Sequence, residues 1–293
     1  MPPKPTLTHF LCLPLVTETS RPQLQESLLR FSSEDFQDNE GGFITSNRVV
    51  RPLGTLHLTL GVMSLLGPER LEAAANFLRD LDLRQMLLEA GGKSAQGPSE
   101  KKAAQGRETG RAAAGDGEDR VGVSDSLDEH AATDAADRTA SQITSEVQPL
   151  IISLSSLVSM HPKAKTSILY AHPSDPTNRI LPFCQTLQEK FREAELLLPD
   201  DRPLKLHATI LNTIYAVGRK PRGDSARRGH GKYRSKLTID AGEIVDKYQG
   251  FEWAKDITLG KLAICKMGAR KITDTEGNVI GEEYEELASK AIC

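Results

Sequence analysis

Aromatic residues are scarce, 5% of 293, and the scarcity partly reflects one long stretch that has none. Cysteine is also sparse: Cys12, Cys184, Cys265 and Cys293 are scattered, with no Cys-x-x-Cys pair. That spacing excludes the usual zinc frameworks and outlines no disulfide scaffold, so a reducing compartment, nuclear and/or cytoplasmic, is expected. A charge excess is missing as well. The formal net charge of −3 excludes global attraction to nucleic acid and leaves only local patches to supply it. No apolar run reaches the length of a membrane span, and Met1-Pro2-Pro3-Lys4-Pro5 does not open a signal peptide.

What the chain does contain is one five-residue frame written twice. Leu56-His57-Leu58-Thr59-Leu60 and Leu206-His207-Ala208-Thr209-Ile210 both read Leu-His-apolar-Thr-apolar. Alternation with period two predicts a strand whose successive side chains point to opposite faces. His57 and Thr59 then share one face, as do His207 and Thr209, while the apolar residues pack behind. A lone strand histidine is usually structural, and a single His-x-Thr arises often by chance. Its recurrence in the same frame points to a paired acid/base site on a duplicated scaffold.

The surrounding pattern alternates strands and helices in both halves, which places the chain among α/β or α+β folds. Strands are predicted over residues 8–15, 56–63, 150–154, 166–171, 204–215 and 257–267, with 279–284 returning as a hairpin partner after the turn at 274–278. Helices are predicted from Pro22, from Pro68 in one long run ended by Gly91-Gly92, from Pro182 to Leu196, and over residues 241–248 behind an Asp240 cap. Residues 91–148 hold no aromatic and few clustered apolar residues, so they read as a disordered insertion. Residues 218–236 form a basic loop, with Arg219, Lys220, Arg222, Arg227, Arg228, Lys232, Arg234 and Lys236 against the single acid Asp224. Such a run serves as an RNA-backbone contact, an import signal or a plain solvated loop.

Two histidines that titrate near neutrality can act as a pair, one neutral and one protonated. One takes a proton from a nucleophile and the other gives one to a leaving oxygen, while threonine hydroxyls donate to charge building on a phosphate. Neither motif carries the carboxylates or cysteines of a metal site, and His-x-Thr is not a zinc spacing. The pattern therefore calls for no metal and no cofactor, and it suits cleavage of a phosphodiester.

These residues resemble the 2H phosphoesterase superfamily, named for two His-x-Thr/Ser motifs. The likeness is closest to the 2′-5′ RNA ligase-like domain shared by A-kinase anchor proteins and the first subunit of the activating signal cointegrator complex. It is carried by residues 8–15, by Leu56-His57-Leu58-Thr59-Leu60-Gly61-Val62, by Ile168-Leu169-Tyr170-Ala171, by Lys205-Leu206-His207-Ala208-Thr209-Ile210-Leu211-Asn212-Thr213 and by Ile239-Asp240-Ala241. The resemblance implies an α+β, two-lobed LigT-like fold with pseudo-twofold symmetry and a central groove, a single domain over residues 1–293 interrupted by the insertion. It implies a metal-independent RNA phosphodiesterase acting on cyclic-phosphate, 2′-5′ or 3′-end linkages. The alternatives are a non-catalytic RNA-binding or scaffold subunit of a transcription-coactivator or RNA-processing complex, or ligation at a 2′-5′ bond. A KH domain or a kinase-anchoring helix, found elsewhere in that group, is not expected here.

By this resemblance His57 and His207 are the catalytic pair, and Thr59 and Thr209 hold the phosphate. Lys205 shares strand parity with His207 and is a further phosphate-binding candidate. Tyr170, Arg219, Lys220, Arg222 and Tyr233 are candidate RNA contacts. Arg51 and Thr55 share parity with His57 only if the strand runs back through Pro52 and Gly54, which breaks the pattern. The expected partner is RNA or an oligonucleotide, with protein partners in a larger complex and no membrane.

Overall fold

A computed structural model describes residues 5–35, 49–94, 147–216 and 237–292. The chain divides into two units, residues 1–96 with 147–293 and residues 97–146; the first carries every element below. In chain order these are β1 (His9–Pro14), α1 (Ser20–Asp35), β2 (His57–Met63), α2 (Pro68–Asp80), α3 (Leu83–Ser94), β3 (Ile151–Ser159), β4 (Ile168–Ser174), α4 (Ile180–Glu193), β5 (Ala208–Asn212), α5 (Gly242–Lys247), β6 (Glu252–Thr258), β7 (Lys261–Lys266), β8 (Arg270–Thr273), β9 (Val279–Glu283) and β10 (Glu286–Ala291).

Eight strands form one sheet in the order β10-β7-β1-β2-β5-β4-β3-β6, and β8 and β9 form a separate hairpin. The order reads as two four-stranded lobes meeting at β2 and β5. A pseudo-twofold between those strands exchanges β2 with β5, β1 with β4, β7 with β3 and β10 with β6. The symmetry reaches single residues. Against β1, the pairing slips between Leu11 and Cys12, so Gly61 and Thr59 have partners and Leu60 does not. Against β4, it slips between Leu169 and Tyr170, so Leu211 and Thr209 have partners and Ile210 does not. Each motif thus carries a bulge three residues after its histidine, which sharpens the twist at the lobe junction.

Apolar residues alternate as a half-buried strand requires. Leu56, Leu58 and Leu60 are buried on the core side, as are Leu206, Ala208 and Ile210, while His57, Thr59, His207 and Thr209 are half-buried on the other face. Helix α4 lies on β2 with Phe183, Leu187 and Phe191 inward, and buried Gln188 donates to the Leu60 carbonyl at 2.8 Å. Helix α1 packs on β6, where Phe31 meets the buried Trp253 at 5.4 Å between ring centroids. A smaller cluster on the histidine face gathers Phe10, Cys12, Ala263 and Cys265, with Val62, Met267 and Tyr284 packed against it.

Several expected elements take a different form. The helix predicted to run unbroken from Pro68 is two helices. Leu81 is extended (φ −64°, ψ 133°), and the Asp82 carboxylate then accepts from the Gln85 amide at 2.9 Å to start α3. Gly91-Gly92 does not end α3, which runs to Ser94, so the segment expected to be disordered starts inside a helix. Val147 at its other end is buried, and residues 95–146 lie outside the described residues. The strand expected over 257–267 is two strands, β6 on one edge of the sheet and β7 beside the other. Only residues 259–260 join them, so the sheet must curl until its edges nearly meet; the Leu259 amide bonds the Leu150 carbonyl and the Ile292 amide bonds the Gly260 carbonyl across that junction. The second motif strand is shorter than expected. It starts at Ala208 and yields to a 3-10 turn at Thr213–Tyr215, where Asn212 caps the turn by accepting from the Ile214 amide at 3.1 Å.

Candidate active site

The two motifs meet across the lobe junction. Leu58 pairs with Ala208 in the antiparallel β2–β5 contact. That register sets His57 opposite Thr209 and Thr59 opposite His207, all four on one face. Residues directly opposite each other hold their Cβ atoms about 4.5–5.5 Å apart. The result is a compact square in which each imidazole neighbours the other motif's hydroxyl.

Both rings are oriented by the same device. His57 Nδ1 donates to the Thr55 carbonyl at 2.7 Å, and His207 Nδ1 donates to the Lys205 carbonyl at 2.8 Å. A carbonyl oxygen only accepts, so Nδ1 carries a proton in both rings and Nε2 is the atom that gains or loses one. Among the described residues, neither Nε2 has a hydrogen-bond partner, and neither does the hydroxyl of Thr59 or Thr209. All four groups are left to a ligand in the groove.

The surroundings of the two rings differ. His57 is boxed in by Phe10, tilted against it at 4.8 Å, and by Tyr284, edge-on at 5.3 Å. Arg51, 5% exposed, donates to the Tyr284 hydroxyl at 3.2 Å and lies over the Tyr215 ring at 4.0 Å. Burial pushes His57 down from 6.5 to about 4, with the Arg51 and His207 charges adding in the same direction and the Thr55 carbonyl opposing. His207 has one ring beside it, Tyr170 at 5.5 Å, and the Lys205 ammonium sits over that ring at 4.8 Å. Burial and the Lys205 charge lower His207 as well, against the Lys205 carbonyl. His57 is therefore neutral across the physiological range.

The sequence-predicted residues fall as follows. His57, Thr59, His207 and Thr209 are brought together. Lys205 is exposed at the mouth beside His207, and Tyr170, 3% exposed, walls that ring and supports the lysine. Arg219, Lys220, Arg222 and Tyr233 lie outside the described residues. Three residues not counted in the site belong to it: Arg51, Phe10 and Tyr284. Arg51 does not reach it by strand parity. The chain turns through Leu53–Thr55, and residues 49–51 pair separately with β5: Val50 bridges Leu211, and the Arg51 amide donates to the Ile210 carbonyl at 2.8 Å. The signal available in sequence was an arginine six residues before a motif histidine, which no local rule connects to it. Among the described residues, no cluster of three or more His, Cys, Asp or Glu has the makings of a metal site.

An uncharacterized protein of Schizosaccharomyces pombe is 34% identical over 127 residues, a match spanning 43% of this chain and 49% of that protein, so the chain spans about half of its length. Among solved structures, E. coli LigT complexed with 3′-AMP is similar over 97% of both chains at 11% identity and a TM-score of 0.40. A second, described as a phosphoesterase, is similar over 98% of both chains at 12% identity and a TM-score of 0.42. The AKAP7 2′5′ RNA ligase-like domain matches residues 7–276, nearly the whole chain and both motifs, and the chain belongs to that family.

Proposed function

We propose that this protein is a metal-independent phosphodiesterase acting on RNA, with the scissile phosphate seated between His57 and His207. The observation that carries the reading is the square itself. Two imidazoles with the same tautomer, and two hydroxyls with no hydrogen-bond partner among the described residues, share one face of a symmetric junction. A phosphate there accepts from Thr59 and Thr209 as charge builds on its oxygens.

His57 is the base. It is neutral in the free protein, and its bare Nε2 takes the proton of a water or ribose hydroxyl as that oxygen bonds phosphorus. His207 is the acid. It gives its Nε2 proton to the oxygen that leaves as the other P–O bond breaks, and solvent exchange restores both rings. An anionic phosphate between the rings raises the proton affinity of both, and the more open His207 is the one that charges first.

The test is cleavage of a short RNA panel in chelator-containing buffer: a 2′,3′-cyclic phosphate end, a 2′-5′ oligoadenylate and a plain 3′-5′ oligomer. Cleavage lost in both His57→Ala and His207→Ala establishes the reading and names the linkage. Binding of RNA with no cleavage of any member overturns it in favour of a binding subunit. Loss of the rate with chelator overturns its metal-independent form.

A further inference from the structure

Beyond the four motif residues, on the His57 side and linked to it through Tyr284 and Arg51, lies a cleft of about 460 Å³, within the range of small-ligand sites. Arg51 forms its inner wall, Tyr215 and Val279 supply apolar walls, and Lys271 and Glu282 come from the hairpin. The hairpin is held down at Gly54, where an added Cβ would lie 2.5 Å from the Glu282 carbonyl oxygen.

Arg51 is the unusual member. Its side chain is buried, yet among the described residues it has no carboxylate within ion-pair distance. Its contacts are two neutral groups, the Tyr284 hydroxyl and the Tyr215 ring. A buried cation without a counter-charge is costly, and such a group is kept where an anion arrives to meet it. Among the described residues, no buried side-chain nitrogen or oxygen lacks a hydrogen-bond partner. Among the described residues the guanidinium makes one hydrogen bond, to the Tyr284 hydroxyl, and Arg51 lines the cleft. A guanidinium carries five N–H donors in a planar fork, the geometry that grips a phosphate with two parallel bonds, and this one is fixed by Tyr284 and by the Tyr215 ring 4.0 Å away.

The position is defined by β5. Along β5 the groove face carries His207 and then Thr209 opposite His57; the backbone of Ile210 and Leu211 next pairs with Arg51 and Val50, and Tyr215 follows. Glu282 stands opposite Lys271 in the hairpin register and offsets its charge, so Arg51 is the net charge of the cleft.

Resting on the phosphodiesterase reading, we propose that this cleft is a second phosphate subsite: Arg51 holds a phosphate group on the nucleotide that lies to the His57 side of the bond being cut. The preferred substrate class is then an oligonucleotide carrying another phosphate next to the scissile one, either an internal phosphodiester or a terminal monoester. Tyr215 and Val279 pack the intervening nucleoside, and Glu282 accepts from its hydroxyl or amino groups.

The test uses full-length protein and dinucleotides of the linkage it cleaves, each made without a terminal phosphate, with a 5′-phosphate and with a 3′-phosphate. KM is measured for all three, and binding is measured in the cleavage-silent His57→Ala/His207→Ala protein. One phosphorylated form is expected to show a KM about tenfold lower than the unphosphorylated form, the scale of one charge-assisted hydrogen-bonded contact. Arg51→Met should bring that ratio close to one, and Arg51→Lys should retain part of it. Because Arg51 is buried and its loss endangers folding, Lys271→Ala at an exposed position provides a second readout and should reduce the ratio partially. Equal KM for all three substrates overturns the subsite and leaves the phosphodiesterase standing. Tighter, Arg51-dependent binding of one phosphorylated form without any cleavage supports the subsite and overturns the phosphodiesterase.

Discussion

The half-site around His57 and the half-site around His207 share a backbone and differ in what covers it. Each has a strand bulge after the motif, a carbonyl two residues back that holds Nδ1, and a threonine facing the partner histidine. Around His57 the cover is Phe10, Tyr284 and, through Tyr284, Arg51. Around His207 it is Tyr170 and the exposed Lys205. The difference teaches how a duplicated scaffold makes unlike chemical partners. Backbone symmetry places both imidazoles on one face of the junction with Nδ1 held alike, and unequal burial separates their proton affinities.

The largest expected effect comes from removing either imidazole. His57→Ala and His207→Ala should each lower kcat by roughly 10³-fold, within the usual range for a positioned acid or base. The double variant should fall little further, because the pair acts as a unit. Substantial activity in one single variant would break the equivalence of the half-sites.

Acid stability should separate them. His57 has a folded pKa of about 4 against an ordinary value of 6.5. The unfolded chain therefore binds more protons between those values, and His57's contribution is complete above pH 6.5 and is lost as pH falls through about 4. That amounts to about 3 kcal/mol. Denaturant unfolding at pH 7 and pH 4 should show a smaller acid loss for His57→Gln than for wild type, with a lesser change for His207→Gln.

The hydroxyls should behave alike. Thr59→Val and Thr209→Val are each expected to lower kcat by about 10²-fold, the scale of one transition-state donor, with little change in KM. Unequal losses would show that the phosphate sits off the pseudo-axis. The pH profile should move least. The kcat/KM curve should be bell-shaped and lie on the acid side of neutrality, because both histidines are lowered. Lys205→Ala removes a cation that lowers His207, so the alkaline limb should shift upward while the acid limb, set by His57, stays in place.

The legible parts of this molecule were those with a local period. The alternation in Leu56–Leu60 and Leu206–Ile210 identified the strand faces, and Pro68 at the start of α2 marked a helix by its fixed φ. The illegible parts were breaks and long-range pairings. Leu81 and Asp82 interrupt an apolar helical pattern without a Gly or Pro to announce it. Residues 259–260 turn what reads as one strand into two, because the direction of the curl comes from the whole sheet. Arg51 and Tyr284 are 233 residues apart and share a hydrogen bond that no spacing rule connects.

The sequence by itself determined which side chains share a face, since the period of a strand puts His57 with Thr59 and His207 with Thr209. Only the tertiary structure decided that the faces meet, that each histidine lies opposite the other motif's threonine, and that a buried arginine with no carboxylate partner among the described residues stands beside one of them. The physical reason is range. Side-chain alternation is set by adjacent residues, whereas register, burial and the field at each imidazole are set by strands brought together from opposite ends of the chain.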